Sequence, residues 1–157
     1  MNNIIKYMNH AKVTLIGYDS ISEQKVDNII STFCDQTHFI DFVGSKENSI
    51  ALMRDLKLLY LMSACGHVVV ETENLNKDDI MILYQFLRVP DLPFKIIIKN
   101  RIYIDVMSGI KMVKYKGGQQ IIHQAQFVFN VIDNNIKVAK NNIYSYLPNS
   151  LWDKKRV

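Results

Sequence analysis

Short apolar runs alternate with segments of helical period through the first hundred residues, and no other feature of the chain narrows its fold as much. Residues 12–18 (KVTLIGY) read as a buried strand. Ser20-Ile21-Ser22-Glu23 has the form of a capping box, and Val26, Ile29, Ile30 and Phe33 follow at helical spacing, which predicts a helix over about 21–34. His38–Val43 reads as a second strand. Gly44-Ser45 then turns into a long helix, about 46–64, with a broad apolar stripe that includes Leu52, Met53, Leu56, Leu59, Tyr60 and Leu61. Gly66 stands where a C-terminal helix cap is expected. Residues 67–71 give a third strand. Asn76 caps a third helix with Ile80, Leu83, Tyr84 and Leu87 on one face, and Pro90 ends it. Phe94–Lys99 gives a fourth strand.

Such alternation implies a parallel sheet covered on both faces. The expected fold is α/β, a Rossmann-like three-layer unit over about residues 10–100. The pattern changes after Asn100. Residues 102–107 and 110–116 alternate around Ser108-Gly109 and predict a hairpin, and Gly117-Gly118 is a strong turn signal. Residues 119–141 fit a helical period at Ile121, Ala125, Ile132 and Ile136, yet Phe127–Ile132 is rich in strand formers; the balance leans to strand. The result is one domain of 157 residues, a parallel unit extended by a basic, antiparallel, β-rich C-terminal segment. An apolar content of 48% suffices for a sizeable core, and no repeat or linker divides the chain.

The longest apolar stretch, residues 50–65, contains Arg54, Asp55 and Lys57, so it is no membrane span. The N-terminal residues lack the apolar region of a secretory signal. Cys34 and Cys65 have no CxxC or Cys/His companions, which points to packed, reduced thiols and a cytoplasmic setting. Abundant Ile, Asn and Lys, with Lys exceeding Arg 15 to 4, suggests AT-rich coding, as in low-GC bacteria, their phages and mobile elements, or large DNA viruses.

The net charge of +4 conceals a split. Residues 1–91 carry 8 basic and 12 acidic side chains, a net of −4, whereas residues 92–157 carry 11 and 3, a net of +8. A basic half suggests an anionic partner. Lys99, Arg101, Lys111, Lys114 and Lys116 are candidate phosphate contacts, and Tyr103 and Tyr115 are candidate stacking faces for unpaired bases. Lysines on edge strands also serve simply to keep an exposed sheet soluble.

In open parallel sheets ligands bind beyond the carboxyl ends of the strands. Asp19, Glu71 and Glu73 fall there, and three carboxylates would suit Mg²⁺ and phosphoryl chemistry if the first and third strands were neighbours. Acidic residues at strand ends equally serve as helix caps. GxGxxG and GxxxxGK[ST] loops are absent. Ser20 and Ser22 open a helix that could receive an anion. His38 and His67 open their strands, at the end away from that site, so no Cys/His pair suggests a nucleophile. The functional expectation is a non-enzymatic binding or regulatory module, without cofactor, acting on a protein or nucleic-acid partner through its basic half. The alternatives are a small Mg²⁺-dependent phosphoesterase or nucleotide-processing enzyme using Asp19, Glu71 and Glu73, and an oligomeric structural subunit. Seven Met residues and the broad stripe of the 46–64 helix suit protein contacts.

Overall fold

A computed structural model describes residues 2–36, 49–73 and 75–143. The predicted strand 38–43, the start of the predicted 46–64 helix and the C-terminal tail lie outside the described residues. Five strands lie in the order β2 (Gly66–Glu71), β3 (Phe94–Met107), β1 (Val13–Tyr18), β5 (Phe127–Ile132), β6 (Asn135–Asn141), and a sixth, β4 (Ile110–Tyr115), pairs with the far end of β3. The fold is therefore mixed α/β: β2, β3, β1 and β5 run parallel, and β5–β6 and β3–β4 are antiparallel.

Every residue of β1 is buried, as expected of a central parallel strand covered on both faces. Its alternate residues divide the core. Leu15 joins Val68, Val70, Ile96, Ile98 and Val128, packed by Leu56 of α3 (Ser49–Leu61), by Ile80 and Leu83 of α4 (Lys77–Leu87) and by Ile121 of α5 (Gln120–Gln124). Ile16 and Tyr18 join Ile97, Phe127 and Phe129, packed by Ile4, Ile5 and Met8 of α1 (Asn2–His10) and by Val26, Ile29 and Phe33 of α2 (Glu23–Gln36). The α4 start is the predicted one: Asn76 Oδ1 accepts from Asp79 N at 2.9 Å and Asp79 Oδ2 accepts from Asn76 N at 3.2 Å, a reciprocal capping box.

Several elements depart from the sequence expectation. Helix α1 lies outside the elements the sequence predicts, although Ile4, Ile5 and Met8 have the spacing of a narrow amphipathic face; its short span carries no capping signal. Ser20–Ser22 forms a separate 3₁₀ turn before α2, with Asp19 as its cap. The cap of α3 is not Gly66 but Ser63, at φ +53°, with Ala64 N donating to Leu59 O and Ser63 N to Tyr60 O in a Schellman arrangement. Gly66 starts β2 instead. The predicted strand 94–99 and the hairpin strand 102–107 are one 14-residue strand. Residues 119–141 resolve both ways, into the short helix α5 and the hairpin β5–β6, whose turn has Asp133 at φ +50° and Asn134 at φ +63°. Of the broad α3 stripe, Leu56 is buried, Leu59 and Tyr60 are half-buried and Leu61 faces outward.

Gly17 is required by a close approach. A Cβ there would stand 2.4 Å from Asn130 Oδ1 and 2.9 Å from both Ile102 Cγ2 and Tyr115 Cε1. Asn130 and Tyr115 are themselves locked by a 2.9 Å hydrogen bond from the phenol to the amide oxygen. We expect Gly17→Ala to lower the unfolding free energy by about 1–3 kcal/mol in urea denaturation, through overpacking.

Candidate functional site at the carboxyl edge of the sheet

The parallel strands deliver their last residues to one edge, and β3 sits between β1 and β2 there. Its Lys99 pairs in register with Ile16 on one side and Glu71 on the other, and Arg101 pairs with Tyr18. Because side chains alternate along a strand, Tyr18, Glu71, Lys99 and Arg101 all emerge on the α2 face.

These residues form one ionic knot. Lys99 Nζ lies 2.9 Å from Asp27 Oδ1, 3.1 Å from Glu71 Oε2 and 3.7 Å from Glu23 Oε1, with its side chain only 10% exposed. Burial disfavours the ammonium, but its bonds to Asp27 and Glu71 outweigh that penalty and hold its pKa above the ordinary lysine value. The same ammonium stands 5.0 Å from the centre of the Tyr18 ring, with the Arg101 guanidinium at 6.0 Å. The Tyr18 hydroxyl lies 3.2 Å from Glu71 Oε1 and 3.3 Å from Glu73 Oε2. Burial, reinforced by the charges of Glu71 and Glu73, pushes the phenol pKa well above its ordinary value. Arg101 Nη1 closes the group on Glu73 Oε1 at 3.0 Å.

Asp19 is engaged by other partners. Its Oδ1 accepts from Ser22 N and its Oδ2 from Asp133 N, both at 3.1 Å, so it ties the end of β1 to the β5–β6 turn. Ser22 Oγ accepts from Asn134 N in the same corner. Burial raises the Asp19 carboxyl, yet the hydrogen bonds from Ser22 and Asp133 prevail and its pKa is lowered. The first strand and the Glu71 strand are not neighbours, since β3 separates them. Glu71 and Glu73 meet each other through Tyr18, whereas Asp19 binds the turn. Among the described residues no group of three or more His, Cys, Asp or Glu side chains is placed to hold a metal ion.

The basic segment is likewise internally committed. Lys114 Nζ pairs with Asp105 at 2.8 Å, and Lys116 Nζ donates to the Glu73 carbonyl. Lys95 donates to the Asn9 carbonyl at the end of α1, and Lys140 to the Ile122 carbonyl in α5. Between residues 92 and 143, Lys111 and Lys137 are the cations to which the described residues give no partner. Tyr115 is buried with its hydroxyl on Asn130, so its ring offers no stacking face; Tyr103 is 57% exposed and does. Of the other possible nucleophile parts, His67 packs edge-on against Phe33 at 4.7 Å, and burial, with the Asp35 charge, raises the Cys34 thiol.

One feature escaped the sequence reading. The β3–β4 hairpin runs past the edge of the parallel sheet, and Ile104, Val106, Met107, Ile110 and Met112 are all exposed on it. The signal was present in residues 102–113, where apolar side chains occupy both alternating positions, a pattern that leaves apolar groups on both faces. No family model matches this chain, and no curated protein matches it in sequence. Among the described residues no helix is long and apolar enough to cross a membrane.

The knot has a pH signature. Tyr18 and Lys99 both have folded-state pKa values above their unfolded ones, so each favours the fold at lower pH. The unfolded chain releases these protons first as pH rises above about 10, and stability falls from there upward. Urea melts between pH 8 and 11 should show this loss, and Tyr18→Phe should make it shallower. Lys99→Met should cost about 3 kcal/mol at neutral pH, at the low end for a broken buried pair because Glu23 and Asp27 are half-exposed.

Proposed function

We propose that this protein is a non-enzymatic binding module that docks a protein partner through the β3–β4 hairpin. The observation that carries the reading is the exposed apolar surface of that hairpin, with Val106 59%, Met107 60% and Ile110 65% accessible. Water-exposed apolar side chains grouped on one projecting element mark interaction sites. The ion pairs and carbonyl contacts of the basic segment favour a protein over a nucleic acid, because they leave few cations for phosphates. The Mg²⁺-dependent alternative is disfavoured because Asp19 already accepts from the Ser22 and Asp133 amides, while Glu71 and Glu73 are taken by Lys99, Arg101 and Tyr18. A partner surface that is apolar at its centre and acidic at its rim would complement the hairpin and Lys111.

An intracellular setting accords with two free cysteines, Cys34 half-buried and Cys65 exposed. The Rossmann-like three-layer reading of the fold draws support from the division of helices between the two core clusters.

A photo-crosslinking amino acid placed at Met107, and separately at His10 as a control on α1, tests the docking in extract of the producing cells. Position 107 should yield a discrete protein adduct, position 10 should not, and Val106→Glu with Ile110→Glu should abolish it. An adduct of doubled mass identifies the partner as a second copy. Equal labelling from both positions, or none, overturns the proposal. So does saturable, salt-sensitive binding of labelled single-stranded DNA or RNA that is lost when Lys111, Lys114 and Lys116 are changed to Glu.

A further inference from the structure

A cleft of about 620 Å³ opens at the root of the hairpin, between the first turn of α4 and the loop that joins β4 to α5. It lies at the carboxyl ends of the parallel strands, the usual ligand position of such sheets, and its volume is that of a small-molecule site. We infer that this cleft binds a small planar aromatic ligand carrying one anionic group, a phosphate or a carboxylate. This inference is independent of the docking proposal.

The chemistry of the lining selects that class. Leu75, Ile80 and Met81 form an apolar wall, and the exposed ring of Tyr103 stands at the side as a stacking face. Among the described residues, Lys77 and Lys116 are the charged members of the lining, with no Asp or Glu. The contrast is local: a hollow that shares Tyr103 and Lys116 with this cleft is also lined by Arg101, Asp19 and Glu73. The cleft therefore presents cations where its neighbour presents both signs. Lys116 spends one bond on the Glu73 carbonyl, and an ammonium has three donors, so two remain. Gln119 and Gln120 add amides able to donate to or accept from a ring edge.

The loop that closes the cleft is held from below. Asn100 Oδ1 accepts from Lys116 N at 3.2 Å, and its fully buried Nδ2 has no hydrogen-bond partner among the described residues. That donor lies 3.3 Å from where a Gly117 Cβ would stand. A buried donor next to Gly117, itself a lining residue, adds positive potential near the cleft, which favours an anion there.

Isothermal titration of the full chain separates the parts of this inference, with adenosine 5′-monophosphate and indole-3-acetate as the two aromatic anions and adenosine and inorganic phosphate as controls. At least one aromatic anion should bind saturably, and the two controls should bind about tenfold more weakly or not at all. Binding of the nucleotide alone assigns a phosphate, and binding of the indole acid alone assigns a carboxylate. Lys77→Gln and Tyr103→Ala should each weaken binding by about tenfold, with the melting temperature of the free protein unchanged because both side chains are exposed. No binding of either aromatic anion, adenosine binding as tightly as its monophosphate, or affinity unchanged in both variants overturns the proposal.

Discussion

The ammonium of Lys99, held inside the sheet edge by carboxylates from α2 and β2, is the constraint on which the rest of the site depends. A cation there is tolerable only if charge of opposite sign follows it in from solvent. Glu71 and Asp27 meet it directly, and Tyr18 lies beneath it as an aromatic face. The hydroxyl of Tyr18 then reaches Glu71 and Glu73, and Glu73 recruits Arg101. Elements distant in sequence are thereby fixed relative to one another at the edge where the long β3 strand leaves the sheet. The knot joins α2, β1, β2 and β3, so its rigidity sets the position of both the hairpin and the cleft.

Strand β3 takes two roles because its environment changes along its length. Through Lys99 it is flanked by β1 and β2 and is almost wholly buried. Beyond Arg101 its strand partner among the described residues is β4, and from Tyr103 onward most of its residues are exposed. Ile102 and Tyr115 face each other at the root and belong to the core, and this anchor lets the tip project without the hairpin becoming a free ribbon. The cleft lies against this root, between the anchored base and α4.

Much of the framework was legible because it rests on local signals. The alternation of Val13–Tyr18, α2, β2, α4 and β3 is carried by periodicity, and the capping box at Asn76 by residue type. What was not legible depends on partners remote in sequence. The net charge of +8 over residues 92–157 suggested an anionic ligand, yet Lys99 finds Glu23 and Asp27 on α2, and Lys116 finds the carbonyl of Glu73. Asp19, Glu71 and Glu73 lie at strand ends as expected, but each is engaged by remote partners, Asp19 by the Asp133 amide and Glu71 and Glu73 by Tyr18, Lys99 and Arg101. Ser63 in place of Gly66 is a smaller case: a left-handed cap prefers glycine, and the Schellman bonds hold a serine there instead.

The hairpin combines apolar faces with a guarded edge, and the distinction bears on how it engages a partner. Its turn, Ser108-Gly109, has both residues at positive φ, +51° and +79°, so Met107 and Ile110 form the closing pair. In that register the outward-pointing backbone groups of β4 belong to Lys111, Val113 and Tyr115, the last with its carbonyl taken by Gly118 N, and β4 has no second strand neighbour among the described residues. A lysine on such an edge opposes the addition of another strand. The faces carry no equivalent protection at the tip: Val106 on one and Met107, Ile110 and Met112 on the other are exposed. Face-on burial of these side chains thus meets less opposition than strand addition along the edge, and a partner with an apolar groove fits the hairpin better than one offering a free strand.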